Sequence, residues 1–339
     1  MHTQMINQVK QYVTQRAIFI VLILLIIGIA IADPNFLAFS TLRDILQQSS
    51  TRAIIALGAA FILVTGGVDL SAGRVVGLTA VVSASMLQID EYANRFFPDL
   101  PQLWVGLPIL VGITAGLFVG LVNGLIVAKL HVPPFIATLG TMVAVYGLNS
   151  IYFDTEPNQS QPIGGLRPDF TVIGSGYIDL GGGYSIPYIV LIAIAVALVC
   201  WVIFNKTRLG KNMYAIGGNI QAAHVSGIHV ARNLVTLYAI AGALYGLGGV
   251  LEAARTGGAT NNYGNMYELD AIAACVVGGV STAGGIGTVP GVMAGVLIFG
   301  VINYGLTFIG VSPYWQLIIK GLIIVAAVAF DIRKYMAKK

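Results

Sequence analysis

Apolar runs, several of them close to the length needed to cross a bilayer, recur from one end of the chain to the other, and charged residues fall mainly between them. A helix that spans hydrocarbon takes about 20 mainly apolar residues. Helices are preferred there because lipid offers open backbone groups no hydrogen-bond partner. The pattern predicts ten spans, near 17–32, 51–66, 74–89, 104–128, 132–153, 187–204, 232–251, 268–283, 288–309 and 314–330. Charged residues make up 9% of the 339 positions and hydrophobic ones 57%, against roughly 25% charged in a soluble domain. The expected fold is an all-α, polytopic membrane bundle of about ten helices.

Positive residues are retained on the cytoplasmic side. With both termini inside, that side receives twelve of the eighteen Lys and Arg: Lys10, Arg16, Arg74, Lys129, Lys206, Arg208, Lys211, Arg232, Arg333, Lys334, Lys338 and Lys339. Arg43, Arg52, Arg95, Arg167 and Arg255 fall outside, and Lys320 lies within the last span. Lys10 and Arg16 before the first run, with Ala-Ile-Ala at 30–32, imitate a cleavable leader; retention is expected, because an even number of spans keeps both basic termini inside. The whole chain, 1–339, reads as one transmembrane domain with an exterior loop at 154–186 and a cytoplasmic loop at 205–232. The basic residues form no single patch with interleaved aromatics, so nucleic acid is not an expected partner. Cys200 and Cys275 sit in apolar runs and read as small packing residues.

The segment TGGVDLSAGR, residues 65–74, puts Asp69, Arg74 and three glycines between two apolar runs. Asp69 has two compatible readings: it caps a helix beginning near Leu70 or pairs with Arg74, and it marks a helix break beside a solute pathway. GGVDLSAG at 66–73 also matches GGVSTAGG at 278–285, the pattern an internal duplication would leave, although the ten spans run both copies in the same direction. Asn123 and Asn149 lie inside apolar runs, where an amide either bonds to a neighbouring helix or faces a pathway. The segment 252–270 adds Asn261, Asn262, Glu268 and Asp270 with Tyr263 and Tyr267, a set suited to a polyhydroxylated solute. Asp69, Asn123, Asn149, Asn261 and Asn262 are the candidate pathway residues. Apart from Asp69, deep positions are expected to be nearly free of ionisable groups, which counts against an ion-coupled carrier.

In the cytoplasmic loop, Asn219 is placed to cap a short polar helix running to Ser226, and Gly227 to end it. A passive channel needs no such docking element. With TGGVDLSAGR, GLVNGLIVAKLHVPPFIATLGTM (120–142), NKTRLGKNMYAIGGNIQAAHVSGI (205–228) and ELDAIAACVVGGVSTAGGIGT (268–288), the chain resembles the membrane permease subunits of ABC-type sugar importers that handle ribose, xylose, arabinose and galactosides. TRLGKNMYAIGGN, GATNNYGNMYELDAIAACVVGG and VINYGLTFIGVSPYWQ look most like the members that carry galactose and methyl galactoside.

The resemblance implies a bacterial inner-membrane homodimer working with two ATPase subunits and a periplasmic sugar-binding protein, with no cofactor or metal. It also implies that the loop docks on the ATPase, through Gly218, Asn219, Ala222, Ala223, Ser226 and Gly227. Gln221 stands where the general importer motif has a glutamate. Gly210-Lys211 is followed by Asn212 and lacks the earlier glycine of a phosphate-binding loop, so the chain is expected to be a transport subunit without ATPase activity of its own. His224 and His229 read as surface residues of the docking helix.

Overall fold

A computed structural model describes residues 22–24 and 26–336, with side chains as far as residue 329. The helices run α1 Leu22–Ala32, α2 Phe39–Val64, α3 Ala72–Ser85, α4 Gly106–Lys129, α5 Pro134–Asp154, α6 Pro168–Ser175, α7 Tyr188–Lys206, α8 Arg208–Gly218, α9 Ile220–Val225, α10 Val230–Thr256, α11 Tyr267–Val277, α12 Val289–Phe308 and α13 Pro313–Met336. Helices α1 to α5, α7 and α10 to α13 overlap the ten expected spans, α2 beginning well before the expected 51 and the first matched only in part because residues 17–21 lie outside the described residues. Of these, α4, α5, α7, α10 and α12 are long and apolar enough to cross a membrane by length and composition alone.

Two of the expected spans are incomplete. At 1.5 Å rise per residue, the 11 residues of α11 cover roughly 16 Å and the 14 of α3 roughly 21 Å, less than the ~30 Å hydrocarbon layer. The expected 268–283 span in fact stops at Val277, and an irregular stretch follows to Thr288. A second irregular stretch, 65–71, separates α2 from α3. Both coincide with the glycine-rich segments.

Helix α2 forms the axis of the bundle. From Ala53 to Val64 every residue is buried, because α7, α10, α11 and α12 pack around it; an apolar helix with no polar face belongs in such a position. The broadest helix pairing joins α4 to α10. It depends on Gly112, Gly116, Gly120 and Gly124, one small residue per turn of α4: a Cβ at Gly120 would stand 2.2 Å from the Tyr238 carbonyl oxygen, so only glycine lets the backbones meet.

The loop at 154–186, expected outside, is more ordered than its composition suggests. It holds α6 and a hairpin of β1 Tyr177–Gly181 against β2 Tyr184–Pro187, joined through Gly181, Gly182 and Gly183, all at positive φ. A bridge from Ile163 to Ala259 ties this loop to the segment after α10. Cys200 and Cys275 are buried and free.

Candidate coupling and translocation site

The first break is fixed by Asp69. Gly66, at φ +80°, turns the chain out of α2, and the Asp69 carboxylate accepts the Ser71 backbone N–H at 2.9 Å and its hydroxyl at 2.7 Å. Asn123 on α4 donates its amide to the Ser71 hydroxyl at 2.9 Å, and Thr138 on α5 accepts the Leu70 N–H at 3.1 Å. Asp69 therefore holds the turn ahead of α3, which starts at Ala72 with Ser71 as its N-cap and no side-chain cap bond, so the expected helix cap near Leu70 does not form. Its expected pairing with Arg74 does not form either, because Arg74 reaches the far side of α3. Asp69 and Asn123 are 3% and 0% exposed, so in this conformation both tie the break to its neighbours without lining an open path.

The second break lies against the first. Gly285 N–H donates to the Val64 carbonyl at 2.8 Å, and Gly279, Gly284 and Gly285 all have positive φ, a conformation that carries no penalty only for glycine. The end of α8 closes the junction. A Cβ on Gly217 would lie 1.8 Å from the Val64 oxygen and 2.5 Å from the Gly285 nitrogen. Tyr214, also on α8, donates its hydroxyl to the Gly287 carbonyl at 2.7 Å; burial raises its pKa above the ordinary range, keeping it a donor. Three glycine-bearing segments from distant parts of the sequence thus meet backbone to backbone.

Helix α9 follows this junction directly. Asn219 caps it by accepting the Ala222 N–H at 2.9 Å, the Ser226 hydroxyl donates to the Ala222 carbonyl at 2.8 Å, and Gly227 ends it at φ +80°. The expected local geometry is present. Gly218, Asn219, Ala222, Ser226 and Gly227 are exposed along with His224 and His229, while Ala223 is buried against the body. A cavity of about 1170 Å³ runs between α9 and the first break, lined by Gly66, Gly67, His131, Gln221, His224 and Tyr238 among others.

The remaining pathway candidates lie together elsewhere. Asn149, 1% exposed, donates to the Asn261 carbonyl at 3.4 Å, and the Asn261 amide donates to the Ser150 hydroxyl at 3.3 Å. Asn262 is exposed and accepts from Arg74 at 3.4 Å. Arg74, expected among the cytoplasmic charges, instead lies in the first turn of α3 and binds the segment between α10 and α11. Helix packing overrides the assignment made from loop charge.

The expectation that deep positions carry almost no ionisable groups is overturned. Arg52 on α2 and Lys320 on α13 both pair with Asp270 on α11, the lysine at 3.2 Å. Arg52 also lies 4.3 Å from the centroid of the Tyr267 ring. Beside them, Glu252 on α10 pairs with Arg255 at 2.7 Å and accepts hydroxyls from Thr51 at 2.8 Å and Tyr267 at 3.1 Å. Three cations thus share two carboxylates, and the contacts anchor the short helix α11 to α2, α10 and α13. From the sequence, Lys320 is expected inside the last span, Arg52 outside and Asp270 among the solute-suited residues; their pairing is not expected.

Residues 41–328 match the family described as branched-chain amino acid transport system / permease component. The chain belongs to this permease family. Over 334 residues, 98% of each chain, the permease is 56% identical to the galactose/methyl galactoside import permease protein MglC of Haemophilus influenzae. It is 54% identical to MglC of Escherichia coli K12 over 97% of each chain, and 36% identical to the ribose import permease protein RbsC of that strain over 96% of each. No solved structure matches. The permease is a multi-pass membrane protein, its helices closing around two broken segments.

Proposed function

We propose that the permease is the membrane-spanning subunit of an ATP-driven importer that brings galactose and methyl galactosides across the bacterial inner membrane. The observation that carries this reading is the 54–56% identity, over nearly the whole chain, to permeases named for those sugars, against 36% for a ribose permease. In the assembly two copies of the single domain 1–339 work with two ATPase subunits and a periplasmic sugar-binding protein. ATP is hydrolysed by the partner subunits.

The geometry supports a mechanical route for coupling. Docking on the exposed side of α9 shifts α8, and Gly217 has no side chain to absorb the movement before it meets Val64 and Gly285. Both breaks then shift together, and the pathway exchanges one opening for the other. The partners supply the free energy through their different affinities for the two states. Asp69, Asn123 and Asn149 hold the moving pieces, while Asn261 and Asn262 belong to the path.

Uptake of labelled galactose, methyl galactoside and ribose is to be measured in cells lacking the permease, with and without its restoration. Galactoside uptake that returns with the permease and needs a cytoplasmic ATPase is the expected result. Ribose uptake alone would overturn the sugar, and uptake independent of any ATPase would overturn the importer. Gly227→Pro tests the docking helix: proline holds φ near −65°, whereas Gly227 sits at +80°. The expected outcome is loss of ATPase co-purification with the permease still in the membrane; unchanged co-purification would remove α9 from the contact.

A further inference from the structure

We infer that Arg74, Tyr146, Asn262, Asn265 and Glu268 form a weak contact site for a neutral sugar on the wall of the pathway. The assignment rests on the sugar-importer reading. Arg74 donates to the Asn265 side-chain oxygen at 2.7 Å and to that of Asn262 at 3.4 Å, and its guanidinium lies 4.2 Å from the centroid of the Tyr146 ring. Asn262, Asn265 and Tyr146 are exposed, and Arg74 and Glu268 are half-buried. Glu268 borders Gly73, where even a Cβ would strike its carboxylate at 2.1 Å.

Depth is what makes this cluster informative. Tyr146 stands twelve residues along α5 from Pro134, roughly 18 Å at 1.5 Å per residue. That places the ring, and the guanidinium on it, well inside the hydrocarbon layer. Among the described residues Arg74 has no carboxylate within 4 Å, and Glu268 has no Lys or Arg nitrogen within that distance. An arginine with two exposed amides at that depth cannot face lipid, where an uncompensated charge costs several kcal/mol. The face therefore borders water.

The chemistry fits a polyol. Guanidinium and carboxamide groups offer donors and acceptors in fixed planes, suited to adjacent hydroxyls, and the aromatic edge offers apolar contact to ring C–H groups. One positive and one negative charge stand close together, so the local field favours a neutral solute over an anion. Arg74 already bonds Asn262 and Asn265 and stacks on Tyr146, so a sugar exchanges one set of contacts for another, as release into the next compartment requires.

The test uses the full importer in proteoliposomes with its ATPase and binding protein. Asn265→Asp strengthens the tie to Arg74 but removes the amide donor. Maximal galactose uptake is expected to fall about tenfold, the effect of one lost hydrogen bond to substrate, with the half-saturating concentration unchanged. A wild-type maximal rate would overturn the site. A second measurement covers a variant that fails to assemble: Asn262→Cys should react with a water-soluble thiol reagent while the buried Cys200 and Cys275 do not, and galactose should slow the labelling during turnover. An unreactive Asn262→Cys permease would place the face in a subunit seam and overturn the site, as would labelling indifferent to sugar. Absence of galactose uptake by the unsubstituted importer would count instead against the sugar-importer reading, and labelling with ribose as the protecting sugar would then decide the site separately.

Discussion

Gly217→Val abolishes uptake and lowers the thermal stability of the permease: this is the expected result with the largest effect. The first carbon added at residue 217 meets the Val64 oxygen at 1.8 Å and the Gly285 nitrogen at 2.5 Å, both backbone atoms that cannot rotate away. Relief requires α8 to back off from both breaks at once and separates the atoms of the Gly285–Val64 hydrogen bond. Overpacking of this kind costs on the order of 1–3 kcal/mol, and loss of a buried backbone bond adds about 1 kcal/mol. Gly218 is the internal control for stability: an added Cβ there meets nothing within 4 Å, so Gly218→Ala should melt within a few degrees of the unsubstituted permease. Thermal unfolding in detergent, followed by size exclusion, distinguishes the two. Equal melting of Gly217→Val and Gly218→Ala would show that the junction is slack and cannot transmit movement.

Asp270→Ala carries the second large effect. It removes the shared counter-ion of Arg52 and Lys320, whose side chains are 21% exposed and have no other carboxylate within 4 Å among the described residues. Breaking a buried ion group by deleting one member costs about 3–5 kcal/mol, whereas replacing all of it with apolar groups is often neutral. The expected outcome is loss of folded permease from the membrane in Asp270→Ala, with recovery when Asp270→Leu is combined with Arg52→Met and Lys320→Met. Quantitative extraction of folded protein measures both. Full folding of Asp270→Ala alone would show that the two cations find water without their partner.

The bundle is legible in the sequence because lipid imposes one constraint on every span, and helix α9 because Asn219, Ser226 and Gly227 act within a few residues of one another. The first helix break is legible as the glycine cluster at 66–73; the second shows only as a matching cluster at 278–285, across which the expected span 268–283 runs. What could not be read were meetings between distant segments. Arg52, Glu252, Asp270 and Lys320 lie far apart in the sequence, and their pairing depends on how four helices are arranged. Arg74 was assigned by counting charges in loops, a rule blind to a short helix beginning inside the bundle. Asp69 and Asn123 were recognised as polar residues at depth; which neighbour they bind is a matter of packing.

The meeting of Gly217 with Val64 and Gly285 has a consequence for how such machines diverge. On the coupling we propose, recognition on α9 is written in side chains, which substitution can alter one at a time. Transmission at the junction is written in main-chain atoms, which meet only while glycine stands at 217. A lineage can therefore acquire a different motor by rewriting the outer surface of α9 while the drive behind it stays intact, and exchanging that surface between permeases should redirect which ATPase docks without redesigning the gate.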